Sequence, residues 1–298
     1  MFKPILNLSK VTGWAITSGA PNAAHTVVCE IQPGPRFHNI SIIGNAGTAK
    51  LMTDLVSDIR VIANDEVVRL HSADELNKKN MLYGTTWNAY NGGTAAAEFH
   101  LPIHFAEPWR KDSLTGDKLA WNTRNLRTFR VEVDVKASTF TSPTALRFQA
   151  EADSAPLDTD APGLMGLIVK IGRTNINLAS GWNDIMQLPR KGIYQEINVV
   201  QAPTSSGITE LEIKQGDKTR LQLTYNAIVA RLKQRDMVPI SAGSGDNPTR
   251  TMTDIIFDAD DRPTSGLISD PAADFLIRLN AASALGNTVV LYNTLEPL

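Results

Sequence analysis

Phe129-Arg130-Val131-Glu132-Val133-Asp134-Val135 is the stretch whose reading decides the fold. Apolar and charged residues alternate at every step. Successive side chains of an extended chain point to opposite faces, so the pattern gives one apolar face and one charged face. A helix would scatter the same residues around its circumference. Phe99, Leu101, Ile103 and Phe105 repeat the pattern, with His100, Pro102 and His104 between them. Leu146, Phe148 and Ala150 alternate with Arg147 and Gln149, Ile40 and Ile42 flank Ser41, and Ile59 and Val61 flank Arg60. Antiparallel sheets with one wet face are the expected result.

Helix signals are few. Ser72-Ala73-Asp74-Glu75 is a capping box, which predicts a short helix to about Asn80. Thr224 to Arg235 is the second candidate, with Ile228, Leu232 and Val229 as its apolar stripe and Arg231, Lys233 and Arg235 suiting its C-terminal half. Long loops rich in Gly, Pro, Asn and Ser run from Gly84 to Ala97, Glu107 to Asn125 and Ser241 to Thr251. The stretch from Asp153 to Gly163 carries two prolines and three aspartates and reads as a linker between domains 1–155 and 156–298.

The linker invites comparison of the halves. Strand Phe37–Ile43, a hairpin from Ile59 to Leu70 turning at Asn64-Asp65, the Ser72 helix, a long loop, then strands at Phe99, Phe129 and Leu146 make up the first half. Strand Tyr194–Val200, a hairpin from Leu211 to Leu221 turning at Gly216-Asp217, the Thr224 helix, a Gly-rich loop, then strands at Ile255, Phe275 and Val289 make up the second. The offset stays near roughly 150 residues throughout, the mark of a duplication. Asp270-Pro271 opens like a helix, with Asp as cap and Pro in the first turn. The repeat assigns Phe275–Leu279 to a strand instead, because its counterpart at Phe129 alternates cleanly. Leu6–Leu8, Gly13–Ile16 and Val27–Ile31 complete the first set. The fold class is therefore all-β: two tandem eight-stranded jelly-roll β-sandwiches, each with a short helix, with another Greek-key topology as the alternative.

Composition narrows the function. The 298 residues carry 29 basic and 31 acidic side chains, a net charge of -2, and no basic stripe, so direct nucleic-acid binding is not expected. The single cysteine, Cys29, cannot form an intrachain disulfide and reads as a small buried side chain in a strand. No secretory signal is legible at the start of the chain. Val11 to Cys29 lacks Asp, Glu, Lys and Arg, but Gly13, Gly19, Pro21, Asn22 and His25 interrupt it, so it reads as strand, turn, strand and not as a membrane span.

No pattern points to bond chemistry. His100 and His104 lie four residues apart, about 13 Å along a strand, too far to share a metal. Asp258-Ala259-Asp260-Asp261 is the densest acidic cluster. It lacks the glycine and terminal glutamate of an EF-hand loop, which leaves a solvated loop as the ordinary reading and Asp258, Asp260 and Asp261 as weak calcium candidates. Asp153, Asp158 and Asp160 are weaker still. Gly44 to Lys50 lacks Walker spacing and reads as a strand connection. Trp14, Trp109, Trp121 and Trp182 sit near strand ends or loops and read as packing residues. Phe2, Lys3, Ile5 and Lys10 are the residues placed to touch a membrane surface. No catalytic residue and no cofactor are assigned.

Three features carry a resemblance: the start Phe2-Lys3-Pro4-Ile5-Leu6-Asn7-Leu8, the recurrence of hairpin, helix, long loop and Phe-rich strand, and the block from Tyr225 through Phe257-Asp258 followed by Ala273 to Tyr292. Together they resemble the double jelly-roll major capsid proteins of tailless icosahedral phages with an internal membrane, especially the corticovirus type. The resemblance is one of architecture and spacing over most of the chain. It implies a non-enzymatic shell subunit, made in the host bacterial cytoplasm and located in the virion. It further implies a homotrimer of near-hexagonal outline, neighbouring capsomers, penton and minor capsid or membrane proteins as partners, and lipid contact through a short N-terminal arm. A carbohydrate-binding or adhesion protein built from two β-sandwiches is the alternative function.

Overall fold

The computed structural model describes residues 3–47, 50–85, 98–110, 116–154, 167–204, 207–239, 241–242, 249–257 and 266–297. Contacts divide the chain into two units, Met1–Val169 with Pro297–Leu298, and Lys170–Glu296. The proline-rich linker and the 155/156 junction fall, apart from Asp153 and Ser154, outside the described residues.

Unit 1 is built from β1 (Ile5–Leu8), β2 (His25–Glu30), β3 (Arg36–Asn45), β4 (Val56–Ala63), β5 (Glu66–Ser72), β6 (Phe99–His104), β7 (Phe129–Val135) and β8 (Thr144–Asp153). One sheet runs β1-β8-β3-β6 and the other β5-β4-β7-β2. The turn between β4 and β5 needs left-handed backbone at two successive positions. Asn64 (φ 49°) and Asp65 (φ 65°) supply it, being the types that tolerate that region at least cost. In β7, Phe129, Val131, Val133 and Val135 are buried while Arg130, Glu132 and Asp134 face outward, as the alternation demands.

Unit 2 is built from β9 (Leu167–Leu178), β10 (Gly181–Ile185), β11 (Ile193–Thr204), β12 (Ile208–Gln215), β13 (Lys218–Thr224), β14 (Thr249–Ile256), β15 (Phe275–Ala281) and β16 (Leu285–Pro297). Strand β9 begins in unit 1 and continues into unit 2. The sheets run β9-β16-β11-β14 and β13-β12-β15-β10. Adding eight to each strand number of unit 1 reproduces this order, so the duplication holds at the level of pairing. Asp270 accepts from Ala272 and Ala273, but that turn is not continued, and Phe275–Ala281 forms a strand whose burial alternates like that of β7.

Among the described residues three α-helices decorate the sheets. Helix α1 (Met52–Leu55) was not foreseen and is a single turn. Helix α2 (Ala73–Leu82) starts at the expected capping box: the Glu75 amide donates to Ser72 Oγ at 3.2 Å, and the Ser72 amide donates to Glu75 Oε2 at 2.7 Å. Helix α3 (Tyr225–Gln234) is capped by Thr224, whose Oγ1 accepts from the Ala227 amide.

One local expectation needs correction. Gly13–Ile16 is not a strand. Pairing stops at Val11–Thr12, which covers the edge of β2, because Gly13 turns away at φ +88° where a Cβ would sit 2.3 Å from Thr26 O. The strand expected at Leu6–Leu8 is present as Ile5–Leu8, which pairs with β8 from Ile5↔Glu151 to Leu8↔Phe148. Ile5 still leaves most of its surface exposed on that edge strand.

The core of unit 1 holds an aromatic cluster. Phe37, Phe105, Trp121 and Phe129 pack with ring centroids 4.6–6.1 Å apart. In unit 2 the main ring pair is Tyr194 stacked on Phe275 at 4.7 Å, surrounded by Ile197, Val199, Leu211, Ile213, Ile277 and Leu279. Removing any one of these buried rings costs about 3–5 kcal/mol.

Candidate functional site

The outward face of the β5-β4-β7-β2 sheet carries a cross-strand ion network. Arg60 on β4 donates to Glu132 Oε2 at 3.1 Å and reaches both oxygens of Asp134, at 2.6 and 2.7 Å. Arg130 donates to Glu132 at 3.0 Å and to Asp65 at 2.9 Å. Hydrogen bonds from Arg60 outweigh partial burial and hold the Asp134 carboxyl below its ordinary range. Unit 2 places a related network on its equivalent sheet, where Arg278 donates to Asp184 at 2.8 Å and to Glu212 at 3.0 Å, and its guanidinium lies 5.1 Å from the Trp182 ring. Trp182 is 41% exposed.

Buried polar groups cluster at one end of unit 1. Arg69 on β5 lies in the aromatic core, its guanidinium 4.8 Å from the Phe105 ring and 5.3 Å from Trp121. It donates to the carbonyl oxygens of Val169 at 3.0 Å and His104 at 2.5 Å. Burial pulls this guanidinium down to about 9, only partly offset by the Glu107 charge. His104 packs edge-on against Trp109, which stacks on Tyr83 at 3.9 Å. Burial, and then the Arg69 charge, push His104 down to about 4, so it stays neutral. His100 faces Glu98 at 3.0 Å instead. The two histidines thus have separate surroundings and form no joint site.

Among the described residues, none of the remaining sequence candidates assembles a reactive constellation. Cys29 is fully buried in β2, and desolvation raises its thiol to about 12, so little thiolate exists near neutrality. Asp258, Asp260 and Asp261 lie outside the described residues, as do Asp158 and Asp160. Among the described residues no group of three or more His, Cys, Asp or Glu side chains is arranged to hold a metal. A cleft of about 520 Å³ in unit 1 is lined by residues including Lys10, Glu30, Pro33, Arg127 and Phe129. No described helix is long and apolar enough to cross a membrane. What the geometry offers is surface: two sandwiches with charged outer faces, and exposed apolar residues such as Met186 and Ile268.

Comparison with known proteins fits that description. Residues 16–153 match the family described as viral coat protein P2 N-terminal domain. The major capsid protein P2 of bacteriophage PM2 superposes with a TM-score of 0.70 at 15% identity, covering 99% of this chain and 98% of that one. The chain has the double jelly-roll fold. A structure of Sulfolobus Turreted Icosahedral Virus gives 0.67 at 12% identity, covering 99% and 90% of the two chains. The PBCV-1 virus capsid gives 0.63 at 11%, covering 99% and 94%. No curated protein sequence matches. The double jelly roll supports the shell reading and not the carbohydrate-binding or adhesion alternative.

Sequence reasoning missed Arg69, because a basic residue in a hairpin strand reads as outward-facing. The Arg60 network was half legible, since the alternation at Phe129–Val135 already aligned Arg130, Glu132 and Asp134 on one face.

Proposed function

We propose that this chain is a structural subunit of an icosahedral viral capsid that works as a trimer. The observation that carries this is the strand-for-strand duplication: two sandwiches with the same pairing order in one polypeptide. Three such chains present six similar sandwiches, so a threefold assembly acquires a near-hexagonal outline and can tile a shell. Covalent linkage keeps the two sandwiches at high effective concentration and in fixed stoichiometry. The mechanism is complementarity of surfaces, and no residue is assigned to bond chemistry. An internal membrane, penton and minor capsid or membrane proteins, and lipid contact near Lys3 and Ile5 belong to the same reading. Calcium at Asp258, Asp260 and Asp261 is a weaker part of it.

The test is native mass measurement of the purified chain followed by negative-stain imaging. Three copies of the 32.5 kDa chain give a particle of about 98 kDa, with larger closed assemblies at high concentration. A strict monomer at high concentration, with no particles, would overturn the proposal.

A further inference from the structure

Strand β3 contains a bulge whose extra residue is a buried histidine. Phe37 pairs with Ala152 and Asn39 with Glu151, so His38 between them has no partner across the ladder. The His38 carbonyl instead accepts from the amides of Phe105 and Ala106, at 2.8 and 2.9 Å. Its ring is 2% exposed and lies between two carboxylates. Nδ1 is 3.1 Å from Asp117 Oδ1, and Nε2 is 3.1 Å from Asp153 Oδ2. Carboxylates only accept, so both contacts are hydrogen bonds only when both ring nitrogens carry hydrogen. A neutral ring has one donor and would turn a lone pair toward the other carboxylate.

The other charged groups here are cations. Lys3, ahead of β1, donates to Asp117 Oδ1 at 2.6 Å. Arg36 on β3 grips Asp153 with Nε at 2.8 Å and Nη2 at 2.5 Å. The cluster joins the approach to β1, the bulge of β3, the short turn Asp117–Leu119 and the last residue of β8.

Unit 2 provides an internal control. Strand β11 has the same bulge: Tyr194 pairs with Thr294 and Glu196 with Asn293, which leaves Gln195 as the extra residue. Its carbonyl accepts from Phe257, as that of His38 does from Phe105. Where unit 1 pairs Arg36 with Asp153, unit 2 pairs Ile193 with Leu295. The fold therefore builds this bulge with a non-ionisable extra residue in unit 2 and with a histidine between two carboxylates in unit 1.

We propose that His38 is a proton-dependent clasp, which in its doubly protonated form fastens the Asp117 turn to the end of β8 and loosens both when it loses a proton. The linkage has one sign. The contacts belong to the protonated ring, so the stabilisation is present at acid pH and is lost when the ring gives up its proton. Lys3 and Arg36 still neutralise the carboxylates once the ring is neutral, so the strand ends loosen while the sandwich stays folded.

Hydrogen exchange on the full chain tests this, read at residues 117–120 and 150–153. In the wild type, exchange corrected for its intrinsic pH dependence should be about tenfold or more faster at about pH 9 than at about pH 5, the loss of one charge-assisted hydrogen bond. His38→Gln, the residue unit 2 uses at this bulge, should remove that dependence. Asp117→Asn should remove it too, because an amide can face either form of the ring. If His38→Gln fails to fold, the comparison with Asp117→Asn decides alone. An unchanging wild type, or the same acceleration in a folded variant, would refute the clasp.

Discussion

Replacing Arg69 with alanine or with methionine separates two jobs that one side chain performs. The guanidinium satisfies the buried carbonyl oxygens of His104 and Val169, and its flat body fills the slot beside Phe105 and Trp121. Alanine removes both contributions. Two stranded carbonyls cost about 1–3 kcal/mol each, less whatever water recovers. A cavity between two rings adds to that, for a total of about 4 kcal/mol. Methionine refills the slot and removes a charge whose burial is unfavourable, so only the carbonyls are lost, at about 2 kcal/mol. Urea unfolding of the full chain, followed through tryptophan fluorescence, measures the difference. With a slope of about 1–3 kcal/mol per M, the two midpoints for unit 1 should stand about 1 M apart, with methionine the more stable. Equal midpoints would show that the guanidinium does not act as a packing element, and the argument would fail.

Arg60→Met should lower stability near neutral pH by about 1 kcal/mol, because it leaves Glu132 and Asp134 without their shared cation. The Asp134 carboxyl is held low, so the pair's contribution exists above the ordinary carboxylate range and disappears as pH falls; denaturation midpoints of variant and wild type should converge in acid. Gly13→Ala should cost about 2 kcal/mol or more, since positive φ and a Cβ 2.3 Å from Thr26 O act together, whereas Gly19→Ala, at φ +75° in open space, should cost about 1 kcal/mol; calorimetry of both separates clash from strain.

Period-two alternation made the strands of this chain legible, since burial of one face is a local rule that each strand obeys by itself. Phe129–Val135 shows it plainly, and it prevailed over the helix-like start at Asp270-Pro271 because Asp270 can cap a turn that nothing continues. The two longer helices were legible because caps are local chemistry. What the pattern hides is set by long-range register. The His38 bulge depends on how β3 meets β8, more than a hundred residues away, and nothing near His38 announces it. Arg69 is buried because Val169 and His104 offer carbonyls there, and neither neighbours it in sequence. Gly13–Ile16 was misread for the same reason, since its turn is dictated by the Thr26 carbonyl.

The two units show which of these features the fold requires. Phe37 and Tyr194 fill the same place beside the bulge, and Phe105 and Phe257 close it in the same way. The exposed positions follow no such rule. Arg60 faces Glu132 in unit 1, while at the matching positions Glu212 faces Arg278, the same cross-strand pair with its signs exchanged. A pair contributes similarly in either order, so the fold is indifferent to the exchange. An assembly is not. If both sandwiches carried the same outer charges, a neighbouring copy could meet either one with equal ease, and a threefold particle would have no preferred register. On the capsid reading, the exchanged pair would give a contact between copies a wrong partner that costs energy, which is how specificity arises between similar surfaces. On the capsid reading, duplication therefore supplies the outline of the subunit and divergence of the outer charges supplies its orientation.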